Sequence, residues 1–116
     1  MTLLDLSTEP VAGGVALVLS GELDISVCER VERQLERIEA ERPGTLVLDL
    51  AGLEFIDSSG MRLVMLADQR ARTDGRRLAV VPGDGTTRRL LRLLGLEPRL
   101  ELVEDRARLE GGGPGS

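Results

Sequence analysis

The chain has 116 residues, 41% of them apolar, and carries 15 arginines against 20 carboxylates for a net charge of −5. That length fits one domain, and no run reaches the ~18 apolar residues of a membrane-spanning helix. The sequence holds no histidine and no lysine. This inventory excludes a Ser-His-Asp triad, a P-loop and a Schiff base, and with a single cysteine it leaves no zinc site.

The opening residues MTLLDLSTEP lack the basic start and small-residue cleavage site of an export signal, so none is expected. A lone Cys28 cannot form an internal disulfide, and a reducing cytoplasm is the expected compartment. Nucleic acid is not an expected partner, because the three closely spaced arginines Arg88, Arg89 and Arg92 alternate with leucines as the wet side of a helix would.

In chain order, residues 3–7 read as a short strand, closed by a turn at Pro10 and Gly13-Gly14, and 15–21 as a buried strand. Ser26 and Glu29 form a capping box that starts a helix near Ser26, with Val27, Val31, Leu35 and Ile38 on one apolar stripe and Pro43-Gly44 as its stop. Residues 45–50 form a strand that Gly52 is expected to break. A second helix runs from about Ser58 to Thr73, stopped by Asp74-Gly75. A strand at 76–81, a leucine-faced helix from Thr86 to Leu94 and a strand at 99–103 follow. Residues 104–110 are expected to add a helical turn or two, and the glycine-rich 111–116 to be a disordered tail. Cys28 reads as a small apolar filler near the start of the first helix. Strands alternating with helices give an α/β domain over 1–110. Its sheet is mixed and mostly parallel, of four to five strands, with the first two as an antiparallel hairpin at one side.

The most informative stretch is LEFIDSSGMRLVML at 53–66, where Asp57-Ser58-Ser59-Gly60 interrupts an apolar run. Projected at about 100° per residue, Gly60, Leu63, Val64, Ala67 and Ala71 share the buried side. Ser58, Met61, Arg62, Met65, Gln69 and Arg72 share the opposite, solvent-facing stripe. Asp57 and Ser58 suit the helix N-terminus as caps for free backbone N–H groups. One cap needs one residue, however, and this break supplies three polar residues and a glycine. A phosphate is well tolerated at a helix N-terminus, and on Ser58 it would add about −1.5 to −2 charges to a surface already holding Asp57, with Glu22 and Asp24 if that strand end is adjacent. A partner fitted to the neutral hydroxyl would meet an uncompensated dianion.

Three other readings fare worse. Ser58 as a hydrolytic nucleophile lacks both a G-x-S-x-G elbow and a histidine. A receiver-type phosphoaspartate at Asp49 or Asp57 lacks its lysine. Gly83-Asp84-Gly85 before a helix lacks the third glycine of a dinucleotide fingerprint, and reads as a turn with Asp84 or Thr86 as the cap.

The stretches LSGELD at 19–24, LVLDLAGLEFIDSSGMRLVMLADQRART at 46–73 and RRLAVVPGDGTTRRLLRLLGLEPRLEL at 76–102 together resemble the STAS domain, and within it the bacterial anti-sigma factor antagonists. The resemblance implies a mixed sheet with helices packed on one side, no catalytic residues, no metal and no cofactor. It implies a cycle in which the unphosphorylated antagonist captures an anti-sigma factor, typically a serine kinase, and frees a sigma factor, with a PP2C-type phosphatase resetting the switch. Carried over by position, Ser58 is the phosphoacceptor. Asp57, Ser59, Gly60, Met61 and Arg62 are partner contacts, with Glu22 and Asp24 from the neighbouring loop; Met65 joins them as the second methionine on the exposed stripe, where methionine suits an adaptable contact surface. The alternative within the family is a scaffold of the stressosome kind, or a module attached to a lipid or anion transporter, without a phosphoswitch.

Overall fold

A computed structural model describes residues 3–106. The elements run β1 (Leu4–Val11), β2 (Gly14–Leu23), α1 (Ile25–Ala40), β3 (Thr45–Ile56), α2 (Ser58–Thr73), β4 (Arg77–Val81), α3 (Thr86–Leu93), a 3-10 turn (Glu97–Arg99) and β5 (Glu101–Leu102). The glycine-rich tail and most of the expected final helical turns lie outside the described residues.

The five strands lie side by side in chain order, β1-β2-β3-β4-β5. β1 and β2 are an antiparallel hairpin, and every later neighbour pairs in parallel. The hairpin turn falls at Ala12-Gly13, where Gly13 takes φ +78°. Pro10, expected in that turn, instead lies inside β1. An edge strand tolerates it because one row of its backbone groups has no ladder partner.

Strand alternation divides the apolar residues between two faces. On one face Leu17, Leu19, Leu46, Leu48, Leu50, Leu78 and Val80 meet all three helices through Val31, Leu35 and Ile38 of α1, Leu63, Val64, Ala67 and Ala71 of α2, and Leu91 of α3. On the other face a smaller cluster forms from Ala16, Val47, Ala79 and Val81, bordered by Val11, Val18 and Val103.

β3 passes straight through Gly52 instead of breaking there. Gly52 pairs with Ser20 where the register with β2 shifts, and a Cβ on it would come within 2.9 Å of Ser20 Cβ. The missing side chain lets two strands stay paired across an irregularity, so both reach further than their apolar runs suggest.

α1 begins one residue before Ser26. Its N-cap is Asp24, whose carboxylate accepts from the Ser26 N–H, so the expected Ser26–Glu29 box does not set the start. α3 begins after Gly85 with no side-chain cap, and the Thr86 hydroxyl donates instead to the carbonyl of Glu54 at the end of β3. The last strand shrinks to two residues because Pro98 draws 97–99 into the 3-10 turn. No helix among the described residues is long and apolar enough to cross a membrane.

Candidate functional site

The parallel pairing of β2 and β3 brings their C-terminal ends together, with Glu22 opposite Phe55 and Leu23 opposite Ile56. The helices that follow, α1 and α2, therefore start side by side, and Glu22-Leu23-Asp24, expected as a loop but in fact the last two residues of β2 and the cap of α1, is adjacent to Asp57-Ser58. The backbone ties the two ends together, since Asp57 N–H donates to the carbonyl of Leu23 at 3.2 Å.

Asp57 organises this end. Its Oδ1 accepts from Gly60 N–H of α2 at 2.9 Å, and its Oδ2 accepts from Ile25 N–H, the first residue of α1, at 3.2 Å. One carboxylate thus caps two helices, each offering otherwise unpaired donors. The Cys28 thiol, one turn into α1, donates to the carbonyl of Asp24 at 3.3 Å and is half-buried rather than fully buried. Burial pushes that thiol's pKa up, and the negative charges of Asp57 and Asp24 push it further.

With the capping done by Asp57, Ser58 is left over. It is the first residue of α2, it is exposed, and its hydroxyl makes no hydrogen bond among the described residues. Ser59 is half-buried and Gly60 buried. Gly60 is obligatory for the packing, because a Cβ there would lie 2.8 Å from Leu23 Cγ, 2.9 Å from Ile56 Cγ1 and 3.0 Å from the Leu23 carbonyl. Neither Glu22 nor Asp57 has an arginine in ion-pair reach among the described residues, so an anion added to Ser58 gains no cation from them.

Along α2 the projection holds for Gly60, Leu63, Val64, Ala67 and Ala71, all buried, and for Ser58, Arg62, Gln69 and Arg72, all exposed. Met65 is half-buried. Met61 is a correction: it is only 3% exposed and belongs to the main core, so it is not a surface contact. Asp68, two turns further on the same flank, is buried too and pairs with Arg72 at 2.8 Å. That flank of α2 is covered, whereas the flank bearing Arg62 is open.

Two residues the sequence reading passed over lie at this rim. Ile25 at the start of α1 is 75% exposed, and Phe55, opposite Glu22, is 46% exposed. Phe55 is the only aromatic residue of the chain. Its position directly ahead of the polar break was the available signal, since an aromatic spent on the surface is unusual in a chain with only one.

A family model described as "Mlab, STAS domain" matches residues 8–104. An anti-sigma-F factor antagonist, RsfB of Mycobacterium tuberculosis, is 30% identical over 90 residues, covering 78% of this chain and 73% of the relative. The chain belongs to the STAS domain family, among its anti-sigma factor antagonists. A Paenibacillus polymyxa anti-sigma F factor antagonist is 32% identical over 94 residues, covering 80% of each chain. The crystal structure of an anti-sigma factor antagonist from Mycobacterium paratuberculosis superposes with a TM-score of 0.81 at 26% identity, over 89% of this chain and 87% of that one. The anti-sigma factor antagonist SpoIIAA in its unphosphorylated form shares the fold, at TM-score 0.75 and 22% identity over 92% and 95% of the two chains.

Proposed function

We propose that this STAS domain is a phosphorylation-switched antagonist: with Ser58 unmodified it docks on an anti-sigma factor and releases a sigma factor, and with Ser58 phosphorylated it lets go. The observation that carries this reading is the free, exposed Ser58 hydroxyl at the start of α2, beside a carboxylate already committed to capping. The names of the relatives point to an anti-sigma factor as the target, and the role calls for that factor to act as a serine kinase.

In the forward step the Ser58 oxygen bonds to the γ-phosphorus of ATP as the bond to ADP breaks, and the hydroxyl proton leaves to the kinase or to solvent. This chain supplies the nucleophile and its position, and the neighbouring Asp57 carboxylate is occupied with the two helix caps. The product dianion sits where free N–H groups and the helix dipole favour it, so α2 survives. What changes is the surface. Glu22, Asp24 and Asp57 already make this rim acidic, and a partner that closes over it must then desolvate a phosphate beside these carboxylates, with Arg62 one turn along α2 as its nearest cation on that helix. Ser59, half-buried beside it, is a partner contact in this reading. A PP2C-type phosphatase, by hydrolysing the serine phosphate, restores the docking form.

The test uses the purified anti-sigma-F factor of Mycobacterium tuberculosis as the binding probe. Wild type and Ser58→Ala bind it, Ser58→Asp does not, and with ATP the wild type gains one acid-stable phosphate that Ser58→Ala lacks. Equal binding by all three, or phosphate on the alanine variant, would sink the switch. Binding unaffected by Ser58 together with loss of a transport phenotype on gene deletion would point to the transporter-module alternative.

A further inference from the structure

A groove of about 560 Å³ runs between α2, along its length from Arg62 to Arg72 and including Asp68, and the segment 96–99. Its apolar lining comes from Met65 and Leu66 of α2 and from Leu96 and Pro98 opposite. Leu66 is among the few large apolar residues left exposed, as are Leu93 and Leu94, which lead directly into Leu96.

Its charges are not balanced internally. Arg72 is already used: it pairs with Asp68 at 2.8 Å and donates to the Arg99 carbonyl at 2.6 Å. The guanidinium groups of Arg62 and Arg99, which bracket the groove, meet no carboxylate among the described residues. Two cations without a carboxylate partner thus flank an apolar trough. They call for an occupant that is apolar on one side and acidic at its margins.

We propose that this groove is a second anchor for the same anti-sigma partner, taking an acidic amphipathic helix of it whose carboxylates meet Arg62 and Arg99. The inference rests on the docking reading given above and adds where, and with what chemistry, the partner extends beyond the phosphorylation rim. Two features favour one occupant spanning both places. Arg62 follows Ser58 by a little over one helical turn, about 6 Å along α2, so groove and rim are continuous. The lining from Arg62 to Arg72 covers about 15 Å of α2, the length of roughly ten helical residues, enough for two or three apolar side chains of a partner helix to seat at i, i+3 and i+4.

Titration calorimetry against the same anti-sigma-F factor tests this, using Arg62→Glu/Arg99→Glu, each single variant, and Arg42→Glu as a single charge-reversal control just past the end of α1. Matching urea midpoints and circular dichroism establish that each variant is folded. The double variant is expected to bind at least about tenfold more weakly and to lose most of the salt dependence of association, while Arg42→Glu binds as wild type. Wild-type affinity in the double variant, with binding still abolished by Ser58→Asp, overturns the groove and leaves the switch standing. Failure of the wild type to bind the factor at all overturns both. Sedimentation with phosphatidylglycerol vesicles that carries down the wild type, but not the double variant, overturns the protein partner in favour of a lipid surface.

Discussion

At the scale of single residues, Asp57 does two jobs with two oxygens, and its removal should be felt in stability before it is felt in binding. Asp57→Ala unpairs Gly60 N–H and Ile25 N–H together, and is expected to cost about 2 kcal/mol in urea unfolding, with Asp57→Asn recovering part of it. Phe55 is the converse case, an exposed ring with nothing to hold together. Phe55→Ala should leave the urea midpoint in place and weaken anti-sigma binding by about 2 kcal/mol, read by calorimetry. Cys28 gives a pH signature. Burial raises its thiol pKa, with Asp57 and Asp24 adding to the shift, so the folded state holds that proton more tightly than the unfolded chain. Its stabilising contribution is full below the unfolded thiol's pKa and fades as pH rises through the raised one. Alkylation of the native protein should therefore lag behind that of the urea-unfolded chain and catch up only at more alkaline pH. Ser58, Arg62 and Gly60 were legible from helical projection because each lies near the middle of the exposed or buried side. Met61 was not. It sits on the flank between them, and what covers a flank is decided by distant parts of the chain.

At the scale of elements, the glycines mark where helix and strand must touch. Gly60→Ala pushes a methyl into Leu23 and Ile56, so α2 must move off the sheet; a loss of about 1–3 kcal/mol on thermal unfolding is expected, with weaker partner binding as Ser58 shifts with the helix. Gly52 teaches the opposite lesson about reading a sequence. A glycine after an apolar run looks like a strand end, yet here it accommodates Ser20 of the neighbouring strand and β3 continues to Ile56. Element identity and order were legible from periodicity. Their ends were not, because strand pairing, the Asp24 cap on α1 and the hydrogen bond from Thr86 to Glu54 are all contributed from outside the local pattern.

At the scale of the whole molecule, the face of the sheet opposite α1, α2 and α3 has its own chemistry. Asp49, only 7% exposed, points there between Val47 and the bordering residues; it accepts from Ala51 N–H at 3.1 Å and is paired by Arg106, which also reaches Glu9 of β1 at 2.7 Å. This Asp49, which a reader of motifs weighs as a phosphoaspartate, is a buried structural anion joined to an arginine 57 positions away. No local pattern carries such a pairing. Arg106→Ala leaves the carboxylate without its cation and is expected to lower stability by about 1–3 kcal/mol in urea, without altering Ser58 phosphorylation. The strand order has a consequence for biosynthesis. Because each strand lies against the one translated just before it, a chain emerging from the ribosome can add layers as they appear, hairpin first. The rim bearing Ser58, built from the ends of β2 and β3 and the starts of α1 and α2, is then complete before β4 and β5 are added at the far side of the sheet.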